Sequence, residues 1–251
     1  MSALLIAAHE IRRQWVQPFV WILAGVLVAL MAWQFLLAVG AYLQVSPRLG
    51  AMPTAPGVTD LVAIPLLRSL STVLLVIVPL LTMRSFAGER RDHSLVLLLA
   101  AGVGDTRIVL GKFLGTLAIV FTLIALVAIL PFLLRFGATI DIGKLMAAML
   151  GVMFWTCALT AIGLACSAAT SQPALAAAAA FIVSLLLGIV DLGARLEGAD
   201  RGAINYLAMP THLEPFLRGI VASVDIIYFV LLAGVALWFA VARLGALRRI
   251  A

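Results

Sequence analysis

Long apolar runs separated by short polar breaks fill most of this chain. Six of them come close to or exceed the roughly 20 residues a helix needs to cross a hydrocarbon core of about 30 Å. They are Phe19–Tyr42, Leu61–Met83, Ile108–Leu134, Leu145–Ala168, Ala174–Val190 and Ile226–Ala242. Three segments follow a different pattern. In residues 1–18, Leu4, Leu5, Ala8, Ile11 and Trp15 recur every three or four positions, with His9, Glu10, Arg12 and Arg13 largely opposite. That spacing predicts a helix lying in the membrane interface with its tryptophan at headgroup level, or else a helical extension of the first span. Residues 87–105 are charged at both ends and leucine-rich between. Asp92 or Ser94 can cap a helix there and Gly102 or Gly104 can end it, so a short helix is expected from about Asp92 to Ala101, or otherwise a solvated loop. In residues 191–222, His212, Leu213, Phe216, Leu217 and Ile220 form a helical stripe, with Glu214 and Arg218 as an i,i+4 pair. One or two short amphipathic helices should dip into the membrane at that point.

Composition agrees with this pattern. Of 251 residues, 65% are apolar and 11% charged, where a soluble domain carries about a quarter charged residues. The expected fold is an all-α integral membrane protein, a single domain over residues 1–251. Charge sets its orientation, because basic residues accumulate on the cytoplasmic side. With the amino terminus inside, the inner segments hold ten basic residues (Arg12, Arg13, Arg84, Arg90, Arg91, Arg107, Lys112, Arg243, Arg248, Arg249) against the four acids Glu10, Glu89, Asp92 and Asp105. The outer segments hold seven of each sign. Both termini are therefore expected in the cytoplasm. The net charge of +6 follows from this bias. No basic run with interleaved aromatics points to nucleic acid. The start is not expected to be a cleavable signal peptide, since its basic residues follow an apolar stretch.

Motifs for chemistry within the chain are lacking. Cys157 and Cys166 fall nine positions apart on one expected helix, about 13.5 Å along its axis, too far for a disulfide. His9, His93 and His212 lie in separate segments without metal-ligand spacing. Leu110-Gly111-Lys112-Phe113 looks like the end of a phosphate-binding loop, but Thr106 stands where that loop needs its first glycine and Phe113 where it needs a hydroxyl. Neither an enzyme activity nor a bound cofactor or metal is expected of this chain.

Polar residues inside spans mark a candidate pathway, because lipid makes them costly. They are Gln34 in the first span and Arg68, Ser69, Ser71 and Thr72 in the second. Arg68 either meets an anionic headgroup or substrate, or snorkels to the surface. No acidic residue lies mid-span to carry protons. The alanine-rich fifth span reads as a close helix–helix or subunit contact, or as a weakly hydrophobic span.

The stretch SLSTVLLVIVPLLTMRSFAGERRDHSLVLLLAAGVGDTRIVLGKFLG resembles the signature region of ABC-2-type transporter permeases. Its span ends in Pro-Leu-Leu-Thr-Met-Arg, followed by Glu-Arg-Arg, a leucine-rich segment and Leu-Gly-Lys. PTHLEPFLRGIVASVDIIYFVLL, residues 210–232, resembles the segment before the final span in the gliding-motility-type branch, near the permeases of nitrous-oxide-reductase maturation. The resemblance implies a permease subunit of an ATP-driven exporter in a bacterial inner membrane. It implies a homodimer, or a pair with a related permease, carrying two copies of a separate ABC ATPase that binds ATP and magnesium. Membrane lipids surround such a subunit, and extracytoplasmic accessory proteins are a further class of partner. By the same resemblance residues 87–105 form the coupling segment, with Glu89, Arg90, Arg91, Ser94, Leu95, Leu98 and Leu99 docking the ATPase. His212, Glu214, Phe216 and Arg218 belong to a re-entrant element lining the exit. The charged ends suit register on a partner and the leucines suit its groove. A secondary transporter would favour internal repeats, which the two halves lack, and a membrane anchor or scaffold would not need a docking helix. The substrate is not legible.

Overall fold

The computed structural model describes residues 3–49, 57–92, 103–197 and 206–249, and the regular elements among them are all helical. In chain order they are α1 (Ala3–Trp15), α2 (Pro18–Leu49), α3 (Ile64–Thr82), preceded by a π-helical turn at Thr59–Ala63, α4 (Ala87–Arg91), α5 (Asp105–Leu133), α6 (Ile142–Ala169), α7 (Pro173–Glu197), α8 (Met209–Leu217) and α9 (Ser223–Arg248). Among the described residues six stretches are long and apolar enough to cross a membrane: Pro18–Pro47, Thr59–Arg91, Asp105–Phe136, Ile142–Ala169, Pro173–Val190 and Ser223–Arg248. Each contains one of the expected runs. Most are longer, because polar flanking residues continue the helix past its apolar part.

Burial orders the bundle. In the spanning windows of α3 and α6, 61% and 67% of residues are buried, against 17% in α2 and α7. The first two are therefore central, and the second two lie at the edge. Trp155 of α6 donates its indole N–H to the Ser71 carbonyl of α3 at 3.1 Å, and Phe216 of α8 fills the space over Gly151, where an added Cβ would stand 2.5 Å from the Phe216 Cβ. The alanine-rich α7 turns a narrow small-residue stripe inward, Ala176, Ala180 and Ser184, while Leu175, Ile182 and Leu186 face outward.

Both ends of the described chain lie at one end of the bundle. Arg248 pairs with Asp105 at 3.0 Å, and α1 packs along the first turns of α5. The packing of α1 corrects one expectation. Its polar side is divided: Glu10 and Gln14 are buried with Ile6 and Ala7, while His9 and Arg12 stay exposed, and Leu4 and Leu5 are 72% and 59% exposed. The cause lies on α5. A Cβ at Gly111 would stand 2.7 Å from the Ile6 Cβ, and one at Gly115 would stand 2.7 Å from the Glu10 Cβ. Two glycines four positions apart open a groove that lets the backbones approach, as small residues do between membrane helices.

Candidate functional site

Among the described residues expected to dock a partner, Glu89 is the one tied most firmly to the bundle. It lies on α4, a single helical turn held by α6. There the Ser167 hydroxyl accepts from the Phe86 and Ala87 amides, both at 3.1 Å, and donates to the Met83 carbonyl at 3.0 Å. A hydroxyl has one proton and two lone pairs, so Ser167 satisfies orphan groups of both the end of α3 and the start of α4. Asp92 stands at the C-cap of α4, and the rest of the helix expected from about Asp92 to Ala101 lies outside the described residues. Ser94, Leu95, Leu98 and Leu99 lie outside the described residues.

From α4 the Glu89 carboxylate meets two cations. Lys112 donates to it at 2.5 Å and Arg13 at 2.6 Å. Lys112 is 2% exposed. Its ammonium also donates to the Ser85 carbonyl at 2.8 Å, stands 3.6 Å from Glu10 and lies over the Phe86 ring at 5.2 Å. Glu10 in turn accepts from Arg13 at 2.7 Å and from Gln14 at 2.8 Å, and Gln14 donates on to Thr116 at 3.1 Å. Two acids and two bases thus form a neutral cluster joining α1, α4 and α5. Burial pushes the Glu10 carboxyl up. The charges of Lys112 and Arg13, with the hydrogen bonds from Gln14 and Arg13, outweigh that and hold it below its ordinary range.

Arg90 and Arg91 point elsewhere. With Arg84, Gly88 and Asp92 they line a cleft of about 1020 Å³ whose far wall is Ser171–Ala174 at the start of α7. The three expected docking residues of α4 therefore divide, Glu89 toward the bundle and the arginines toward the cleft.

At the opposite end the candidate pathway divides too. Ser69 donates to Gln34 at 2.9 Å across the α2–α3 contact. Arg68, Ser71 and Thr72 line a cavity of about 270 Å³ that is walled also by α6, α7 and α8. The Ser71 and Thr72 hydroxyls donate back to the carbonyls of Leu67 and Arg68 in their own helix. Arg68 pairs with Glu214 at 2.9 Å, which brings together a residue expected in the pathway and one expected in the lid. Of the residues expected in the lid, His212 and Phe216 are buried, Glu214 half-buried and Arg218 exposed. His212 faces Asp225 at 2.7 Å through Nδ1 and the Tyr206 carbonyl at 2.9 Å through Nε2, and stacks on Tyr228 with ring centres 3.9 Å apart. Ile220, expected on the same stripe, is 59% exposed, because α8 ends at Leu217 and Gly219 turns the chain at φ +88°. Among the described residues no group of three or more His, Cys, Asp or Glu could hold a metal ion.

Sequence reasoning missed Glu10, Arg13, Lys112 and Ser167 as a set. A lysine within the first turns of an apolar span, between glycines four apart, was the available signal.

Six spanning helices with a short charged turn locked into one end form a polytopic transport-type membrane domain. Residues 58–242 match the family described as ABC-2 family transporter protein, and the chain belongs to that family. It is a permease component of an ABC transporter, a class of subunit that works with an ABC ATPase. No individual curated protein matches it.

Proposed function

We propose that this chain is the permease of an ATP-driven exporter, with residues 87–105 as the segment through which a separate ATPase moves the bundle. The observation that carries the proposal is the position of Glu89. Its carboxylate, at the start of that segment, is bonded to Lys112 of α5 and to Arg13 of α1. A push delivered there reaches a spanning helix and the flanking helix together, because breaking ion pairs that are largely withdrawn from water is costly. Arg90 and Arg91 stay in the adjoining basic cleft, where they can meet acidic groups of a partner.

In this reading the end bearing both chain ends is cytoplasmic in a bacterial inner membrane, as the excess of basic residues there favours. Two permease copies, identical or related, carry two ATPases, and ATP and magnesium belong to those partners. The segment 191–222 works as the outer lid, and extracytoplasmic accessory proteins remain a class of partner. The likeness of residues 210–232 to the gliding-motility-type and nitrous-oxide-reductase-maturation permeases favours that branch.

Leu98→Asp tests the docking role. The variant should insert normally and lose its ATPase on co-purification, since a charge buried in an apolar groove without a partner costs several kcal/mol. Normal recovery of the ATPase would contradict it.

A further inference from the structure

We propose that the cavity beside Arg68 is a binding site for an anionic membrane lipid, one acyl chain entering between α3 and α7 and the phosphate resting on Arg68 and Arg218. The chemistry of the lining determines the occupant. Its apolar walls are Leu75, Leu185, Ile189, Leu213 and Leu217, aliphatic side chains that suit a hydrocarbon chain. Donors along its wall are already used. Ser71 and Thr72 give their protons to their own helix, and the Trp155 indole gives its proton to the Ser71 carbonyl. Donors at the mouth remain accessible: the Arg68 side chain is 56% exposed and that of Arg218 is 71% exposed.

These two guanidinium groups share the Glu214 carboxylate, Arg68 at 2.9 Å and Arg218 at 3.5 Å. Two positive charges on one negative leave the mouth positive, and a guanidinium fork suits phosphate oxygens. Size points the same way. At about 270 Å³ the cavity falls just below the range of roughly 300–1,000 Å³ that encloses a whole drug-sized ligand. It accommodates a chain segment with its headgroup left outside. Leu75 lies seven residues beyond Arg68 on α3, about 10 Å along the axis, so an arginine-held headgroup and a buried chain are in register. The site is independent of ATPase docking, which involves the other end of the bundle.

The experiment uses the full chain in nanodiscs of equal phosphatidylglycerol and phosphatidylcholine, with retained lipid counted by native mass spectrometry after detergent release. The wild type should retain phosphatidylglycerol several-fold over phosphatidylcholine. Arg68→Gln should reduce that preference toward parity, and Glu214→Gln should increase it, because both arginines are then released to the phosphate. Gly188→Phe projects into the cavity from α7, where an added Cβ meets only Leu75 at 4.0 Å, and should remove the retained lipid. Equal retention of the two lipids by the wild type would overturn the proposal. So would an unchanged preference in Arg68→Gln, an exposed position whose replacement leaves the core intact, or retention that survives in folded Gly188→Phe. Each result is read without ATP or the partner chain, so it is separable from the coupling proposal.

Discussion

Lys112 shows how much one buried charge can organise. Its ammonium serves Glu89, Glu10 and the Ser85 carbonyl at once, and removing one partner of such a set typically costs about 3–5 kcal/mol, because the remaining charges stay buried. Lys112→Met should therefore lower the melting temperature in detergent strongly. Adding Glu10→Gln to it should recover part of the loss, since Arg13 and Glu89 then balance each other. A double variant no more stable than Lys112→Met would contradict this pairing. Glu10 gives the cluster a pH signature. Its folded-state carboxyl is held below the ordinary glutamate range, so its contribution is fully present above that range and is lost as pH falls through the lower folded value. The melting advantage of wild type over Glu10→Gln should be constant near neutral pH and shrink in acid. An advantage that grows in acid would refute the assignment. None of this was legible as a cluster in the sequence. Gln14 and Thr116 are 102 positions apart and Lys112 and Glu89 are 23 apart, and a helical period says which residues share a face without saying which faces meet.

The elements were far more legible than their contacts. Span number and approximate limits follow from hydropathy, because the membrane sets both the length and the apolarity a crossing helix requires. The helix of residues 209–217 was visible as the stripe of His212, Leu213, Phe216 and Leu217, all of which are buried. The seating of α1 was not, since amphipathicity placed Glu10 on a wet face and the glycine groove of α5 turned it inward. That seam makes a prediction for the element as a whole. Gly115→Val would drive a side chain into the Glu10 Cβ at 2.7 Å and the Ala7 carbonyl at 3.0 Å, costing about 1–3 kcal/mol as overpacking does, and should lift α1 from α5. A cysteine at buried Ala7 should then label faster with maleimide. Gly40→Val, where an added Cβ meets nothing within 4 Å, should leave that labelling unchanged. Equal labelling in the two backgrounds would mean that α1 is held by something other than this groove.

Across the whole molecule the two ends differ in kind. One end carries a neutral, buried ion cluster that binds α1, α4 and α5 into one body, and beside it an arginine-lined cleft. The other carries short polar ties, Lys144 to Asp60, Arg68 to Glu214 and His212 to Asp225, which join the first turn of α6 to the turn before α3 and hold α8 over the bundle. Between them α3 and α6 form the packed axis, with the exposed apolar faces of α2 and α7 outside. Such a molecule can pass a displacement from the clustered end to the tied end through α3 and α5, provided that Glu89 transmits it. ATP turnover by the assembled complex, compared with the same ATPase chain alone, tests that condition most directly when measured for wild type and Glu89→Gln. The account predicts that Glu89→Gln recovers the ATPase normally on co-purification yet loses most of the change in turnover that the wild-type permease imposes. Undiminished permease-dependent turnover in a folded, assembled Glu89→Gln complex would contradict it.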